Sequence, residues 1–250
     1  MPICLPSFVG VAQPASSGGA FSNGYSISLD GTDDNINCGN NSSLAPANIT
    51  LSAWVKISGS VDTFNYILSK AGSRYGTIHL RYTSNNTFNV HLGFASSAFI
   101  NNITSSSSYT LTDWHHVAFT YDQTNVKLYV DGIEKYSASE TRAIDYAQYD
   151  GGSTDFNIGK TAYGYASPTE GLVDEVAMFN SALTAQNIDD IYNDGVPNDL
   201  GIGGLNLSPL GWWRMGDNDG GTGTIITDQG NGGNDGTLNG GPTFSTTVPS

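Results

Sequence analysis

Basic residues are scarce in this 250-residue chain: 9 Lys and Arg stand against 23 Asp and Glu, and the formal net charge is −14. No Lys or Arg precedes Lys56. A field of that sign repels phosphate backbones and anionic bilayers, which excludes nucleic-acid binding as a function class. No apolar run approaches the ~20 residues that span a bilayer, so membrane insertion is not expected either. Cysteine is limited to Cys4 and Cys38, too few for a disulfide framework; the two either pair or remain free thiols. The first residues, MPICLPSFVGVAQPASSGG, lack a positive n-region and are interrupted by Pro2, Pro6 and Pro14. They make a poor secretory signal, and the expectation is a soluble product of the cytoplasm. Gly-x-Ser-x-Gly, His-Glu-x-x-His and Cys-x-x-Cys runs are all missing. Charged residues make up only 13%, leaving solubility to hydroxyls and amides.

What is present is strand and turn chemistry. The segment DWHHVAFTYDQTNVKLYVDGIEKY, residues 113–136, places Val117, Phe119 and Tyr121 on one face and Val126, Leu128 and Val130 on another. Apolar residues at every second position mark strands with one side in a core. Asp122-Gln123-Thr124-Asn125 and Asp131-Gly132 supply the reversals, so three antiparallel strands form a meander.

Ahead of it, residues 1–23 read as an extended arm that is either disordered or docked on a partner, with Ile3, Leu5, Phe8 and Val9 as its apolar contacts. Tyr25 to Cys38 gives two short strands around Asp30-Gly31-Thr32-Asp33. Ile49 to Ile57 sends Ile49, Leu51, Ala53, Val55 and Ile57 inward and Trp54 outward, so this strand is expected to be covered on both sides. Strands are also predicted over 66–69, 77–82, 88–94, 156–159 and 172–179. One helix is predicted over 184–193, capped by Thr184, striped by Ile188, Ile191 and Tyr192, and stopped by Gly195 and Pro197. The reading is one all-β unit over 24–250, a two-sheet antiparallel jelly-roll sandwich with a single short helix.

Three stretches carry a resemblance: the Trp114-His115-His116-Val117 strand with its Leu-Tyr-Val-Asp-Gly hairpin, EGLVDEVAMFNSALTAQNIDDIYN (170–193), and SISLDGTDDNINC (26–38). Together they resemble the laminin G-like branch of the concanavalin A-like lectin/glucanase superfamily. The run GWWRMGDNDGGTGTIITDQGNGGNDGTLNGGPTF (211–244) resembles a segment that usually precedes the opening strand in such domains. Here it comes last. Residues 205–250 therefore supply terminal strands in permuted order, or donate them to a neighbouring copy; the first arrangement needs no second chain.

The fold hosts lectins, enzymes and structural modules, so function rests on sites. The superfamily's hydrolases carry Glu-x-Asp-x-x-Glu, which this chain lacks; Glu170, Asp174 and Glu175 have another spacing. His115 and His116 diverge on a strand. The expectation is a protein that is not an enzyme. The resemblance also implies a structural calcium near Asp174, with Asp33 and Asp34 of the neighbouring turn offering hard oxygens, although these acids equally serve as turn caps. Tyr146, Tyr149, Tyr163 and Tyr165 fall in loops, where rings beside acids and amides stack on sugars or pack on loop backbone. LSPLGWWRMGDNDGG (207–221) and FSNGYSISLDGTDD (21–34) are similar to laminin G-like virion proteins of marine tailed bacteriophages. That similarity implies a capsid decoration, head fibre or tail appendage, assembled in the host cytoplasm. Such a protein would be held in many copies or as a homo-oligomer by its arm to other virion proteins, and would contact host surface polysaccharide. A free carbohydrate-binding lectin module is the alternative.

Overall fold

The computed structural model describes residues 21–59, 61, 63–70, 77–96, 98–110, 112–146, 154–161 and 167–250. Its strands are β1 (Ser26–Asp30), β2 (Asn35–Asn37), β3 (Ile49–Ile57), β4 (Phe64–Lys70), β5 (Ile78–Thr83), β6 (Phe88–Phe94), β7 (Ala98–Thr104), β8 (His115–Tyr121) and β9 (Asn125–Val130). They continue as β10 (Ile133–Ser139), β11 (Phe156–Ile158), β12 (Ser167–Pro168), β13 (Glu170–Phe179), β14 (Gly211–Trp213), β15 (Ile225–Ile226), β16 (Gly236–Asn239) and β17 (Thr243–Ser245). Helix α1 spans Ala185–Tyr192.

The strands form two sheets. One runs β10-β9-β8-β3-β13-β1-β17, with β14 also beside β13; the other runs β15-β16-β2-β11-β4-β5-β6-β7, with β12 beside β4. All pairings are antiparallel except the short β12–β4 contact. Alternation in β3 directs Leu51, Ala53 and Val55 into the space between the sheets, where they meet Leu68, Leu80, Val90 and Phe119 in one core. On the other face of the same sheet, Ala118, Tyr129, Ala177 and Phe179 lie in a second apolar layer with Ile188, Ile191 and Leu200. The sheet is thus covered on both sides, which is why β3 and β13 are buried at nearly every position.

Helix α1 starts in a capping box. Thr184 Oγ1 accepts from the Asn187 N–H at 3.1 Å, and Asn187 Oδ1 accepts from the Thr184 N–H at 3.3 Å. It ends at Asn193, whose φ of 45° is left-handed, so the stop comes before Gly195 and Pro197. Cys38 is a buried free thiol; Cys4 lies outside the described residues.

Residues 205–250 pair within their own chain. β14 lies on β13, the β15–β16 hairpin on β2, and β17 on β1. β1 and β14 sit end to end along the same side of β13: Ile27 to Asp30 face Val173 to Glu170, and Gly211 to Trp213 face Met178 to Val176. Between them β13 bulges against β3 from Asp174 to Ala177, with Glu175 at φ 44°. The bulge directs the Glu175 carboxylate onto Arg214 Nε at 2.9 Å and Trp212 Nε1 at 2.6 Å. Arg214 Nη2 also reaches the Ser22 carbonyl at 2.6 Å and Asp217 Oδ2 at 3.2 Å, and its guanidinium covers the Phe21 ring at 4.3 Å. Asp217 Oδ1 in turn accepts the Gly24 and Tyr25 N–H groups at 2.8 and 3.1 Å. One buried cation therefore ties residues 21–25 and 212–217 to β13.

Candidate functional site

An open groove of about 320 Å³ lies on the covered face of the sheet that holds β3. Alternation puts Trp54 and Lys56 on this face, and the β3–β8 register sets Trp54 opposite His116. Tyr192, at the last position of α1, stacks over Trp54 with ring centroids 5.8 Å apart and planes 23° apart. The β9–β10 turn brings Asp131, at φ 51°, against the start of β8. Its Oδ1 accepts the His116 N–H at 3.0 Å and its Oδ2 takes His115 Nδ1 at 2.9 Å. Thr112, Asp113, Trp114 and His115 complete the wall together with Gly195 and Ser250.

Two rings here remain partly accessible, Trp114 and Tyr192, and the carboxylates of Asp113 and Asp131 flank them with the Lys56 ammonium. Trp114 Nε1 and His115 Nε2 are buried without a hydrogen-bond partner. Beneath the groove, burial pushes the His116 imidazole down to about 4 while its Nε2 sits 2.8 Å from Ser52 Oγ. Aromatic faces beside carboxylates suit a polyol ring: apolar C–H faces meet the rings while hydroxyls donate to the acids. Sequence patterning had placed Trp54 on a covered outer face but had not joined Trp114, Asp131 and Tyr192, which come from three separate elements. The available signal was the outward alternation of β3 beside a helix that ends in an aromatic residue.

The acidic turn is a second cluster. Carboxylate oxygens of Asp30, Asp33 and Asp34 lie within 4.8 Å of one another. Asp34 Oδ2 accepts the Asp30 N–H at 3.0 Å, and Asp30 Oδ1 accepts the Thr32 N–H at 2.8 Å. Burial, then the Asp30 and Asp33 charges, hold the Asp34 carboxyl above its usual range against the Asp30 hydrogen bond. Three hard oxygen donors that repel one another fit calcium. Asp30 thus joins Asp33 and Asp34, whereas Asp174 lies at the other end of β1. The β1–β13 register sets Glu170 opposite Asp30 and carries Asp174 four residues further, about 13 Å at strand rise. There Asp174 accepts from Asn23 Nδ2 at 2.9 Å. Burial and the adjacent Glu175 charge raise its carboxyl well above the ordinary value.

Of the four loop tyrosines, Tyr146 is half-buried against the core and donates its hydroxyl to the Pro46 carbonyl at 2.9 Å. Tyr149, Tyr163 and Tyr165 lie outside the described residues.

A family model described as the concanavalin A-like lectin/glucanases superfamily, of the third laminin G type, matches residues 30–189. The chain belongs to this superfamily. No curated protein matches the sequence. Among solved structures, this superfamily member is similar to a Bacteroides ovatus protein provisionally described as carbohydrate-binding, at 20% identity and a TM-score of 0.65. That match covers 92% of this chain and 62% of the other, so the chain spans less than two thirds of that protein. It is also similar to the CBM40 of a Ruminococcus gnavus IT-sialidase bound to α2,3-sialyllactose, at 13% identity, 67% and 96% coverage and a TM-score of 0.53. Domain 4 of a Geobacillus stearothermophilus GH43 arabinanase, in complex with arabinotriose, matches at 20% identity, 67% and 76% coverage and a TM-score of 0.50. At these identities the likeness is one of fold.

Proposed function

We propose that this chain is a carbohydrate-binding sandwich that does no chemistry on its ligand, and that the groove beside Trp114 and Tyr192 holds the sugar. The observation that carries the reading is the pairing of two partly accessible rings with the Asp113 and Asp131 carboxylates in one open groove. Support comes from the sugars bound by the two smaller structural neighbours, and the lack of a Glu-x-Asp-x-x-Glu run favours binding over hydrolysis. A structural calcium held by Asp30, Asp33 and Asp34 belongs to the same proposal; it would join carboxylates that otherwise repel. The test is glycan-array binding followed by calorimetry on Trp114→Ala and Tyr192→Ala. Each is expected to weaken binding by about 10-fold or more while the melting temperature stays within a few degrees, as loss of a stacking ring would give. Binding unchanged in both variants rules the groove out.

A second reading concerns where the module works. The two stretches that resemble phage virion proteins, 21–34 and 207–221, meet in the fold: Phe21 stacks on Trp212 at 6.4 Å, and Arg214 binds the Ser22 carbonyl. This favours treating them as one structural device, and we read the chain as displayed in multiple copies on a phage particle. Among the described residues no helix is long and apolar enough to cross a membrane. A mass-spectrometric inventory of purified particles tests the display; a protein found only in culture supernatant speaks against it.

A further inference from the structure

We infer that the groove selects uncharged sugar rings and turns away acidic ones. This rests on the carbohydrate-binding reading and adds the ligand class.

Recognition of a sugar carboxylate calls for a guanidinium fork or a surplus of positive charge. Among the described residues lining the groove, Lys56 is the single fixed cation, and it faces two carboxylates, Asp113 and Asp131. The described arginines are all committed elsewhere. Arg81 is on the other sheet, with its Nη2 2.5 Å from Asn89 Oδ1 and its guanidinium over Phe64. Arg142 is paired with Glu140, and Arg214 with Glu175.

The polarity of the wall points the same way. Asp131 accepts the His116 N–H and stands 2.9 Å from His115 Nδ1, so its carboxyl group is fixed in place with oxygen lone pairs left for a sugar hydroxyl. Asp113 is exposed and accepts from Thr110 Oγ1 at 2.6 Å. A hydroxyl can donate to either acid; a second carboxylate can only be repelled by them. The whole chain, at −14, adds a field of the same sign at the mouth. The volume, about 320 Å³, is near the lower limit for ligand pockets, which suits one or two rings.

The experiment uses the full chain and matched probes: lactose with α2,3-sialyllactose, and galactose oligomers with galacturonic acid oligomers, on an array and then by calorimetry at low salt. The neutral member of each bound pair is expected to bind at least ~10-fold more tightly, and Asp113→Arg to shrink that gap to within ~3-fold by improving the acidic member. An acidic member bound as tightly as its neutral counterpart, and lost in Trp114→Ala, overturns the selection while leaving sugar binding in place. A gap untouched by Asp113→Arg overturns its assignment to this groove. Failure to bind any sugar removes both readings.

Discussion

The Glu175 carboxylate lies 2.9 Å from the Arg214 guanidinium, both nearly out of water and 39 residues apart in the chain. A charge buried in this way is costly once its partner is removed, because Glu175 would keep only the Trp212 N–H and would have to hold its charge in a dry site or take up a proton. Arg214→Met is therefore expected to destabilise the fold by about 3–5 kcal/mol. Urea unfolding followed by tryptophan fluorescence reads it directly. A loss below about 1 kcal/mol, the level of a surface pair, would show that Arg214 does not hold residues 21–25 to β13.

The neighbouring acids set a pH dependence. Burial pushes Glu175 up to about 7 against the pull of Arg214, and burial with the adjacent Glu175 charge raises Asp174 well above its usual range. A buried Asn23 Oδ1 without a partner stands beside Asp174, and turning that amide over gives a protonated Asp174 an acceptor. Below the unfolded values of the two carboxyls, both states hold the protons and this part of the stability is whole. As pH rises the unfolded chain releases protons that the fold retains, so stability falls from about pH 4 to about pH 7. Melting curves of wild type minus Glu175→Gln, taken across that range, are expected to show the decline. A flat difference refutes it.

His116 works in the opposite sense. Its imidazole is neutral in the fold down to about 4, while an unfolded histidine takes a proton near 6.5. Its contribution is complete above pH 6.5 and is lost as pH falls toward 4. Relative to His116→Gln, the wild type should lose stability through that interval. A difference that grows on acidification instead would mean the ring is charged inside the sheet.

Calcium should raise the melting temperature and a chelator should return it to its starting value. The effect should vanish in an Asp33→Asn, Asp34→Asn double variant but survive in Asp174→Asn, since Asp174 is about 13 Å along β1 from the turn. Differential scanning calorimetry with and without chelator separates these cases. Equal calcium response in all variants places any ion elsewhere.

Legibility in the sequence followed the range of the interactions. The meander β8–β10 was visible because Val117, Phe119 and Tyr121 alternate, and the Asp131-Gly132 reversal is local chemistry. Helix α1 was visible from Thr184 and its Ile188, Ile191 stripe. β7 was not, because Ala98 to Thr104 is largely exposed at a sheet edge and carries no clean apolar alternation. The acidic turn lies within five residues and could be read locally, except that Asp174 was grouped with it through a resemblance and not through contact. The groove and the Arg214 tie are made by side chains from distant elements, and no window of sequence contains either.

The pairing of Ser26 with Ser245 has a consequence for synthesis. One outermost strand of each sheet, β17 and β15, comes from residues 211–250, so a ribosome must pass these residues before the edge beside β1 and the edge beside β2 are filled. The local meander is free to form early, while closure across more than two hundred residues waits and is slow. Nascent chains stalled before residue 211 should remain protease-sensitive at β1 even though β8–β10 resists. Protection of β1 in such chains would contradict this order of assembly.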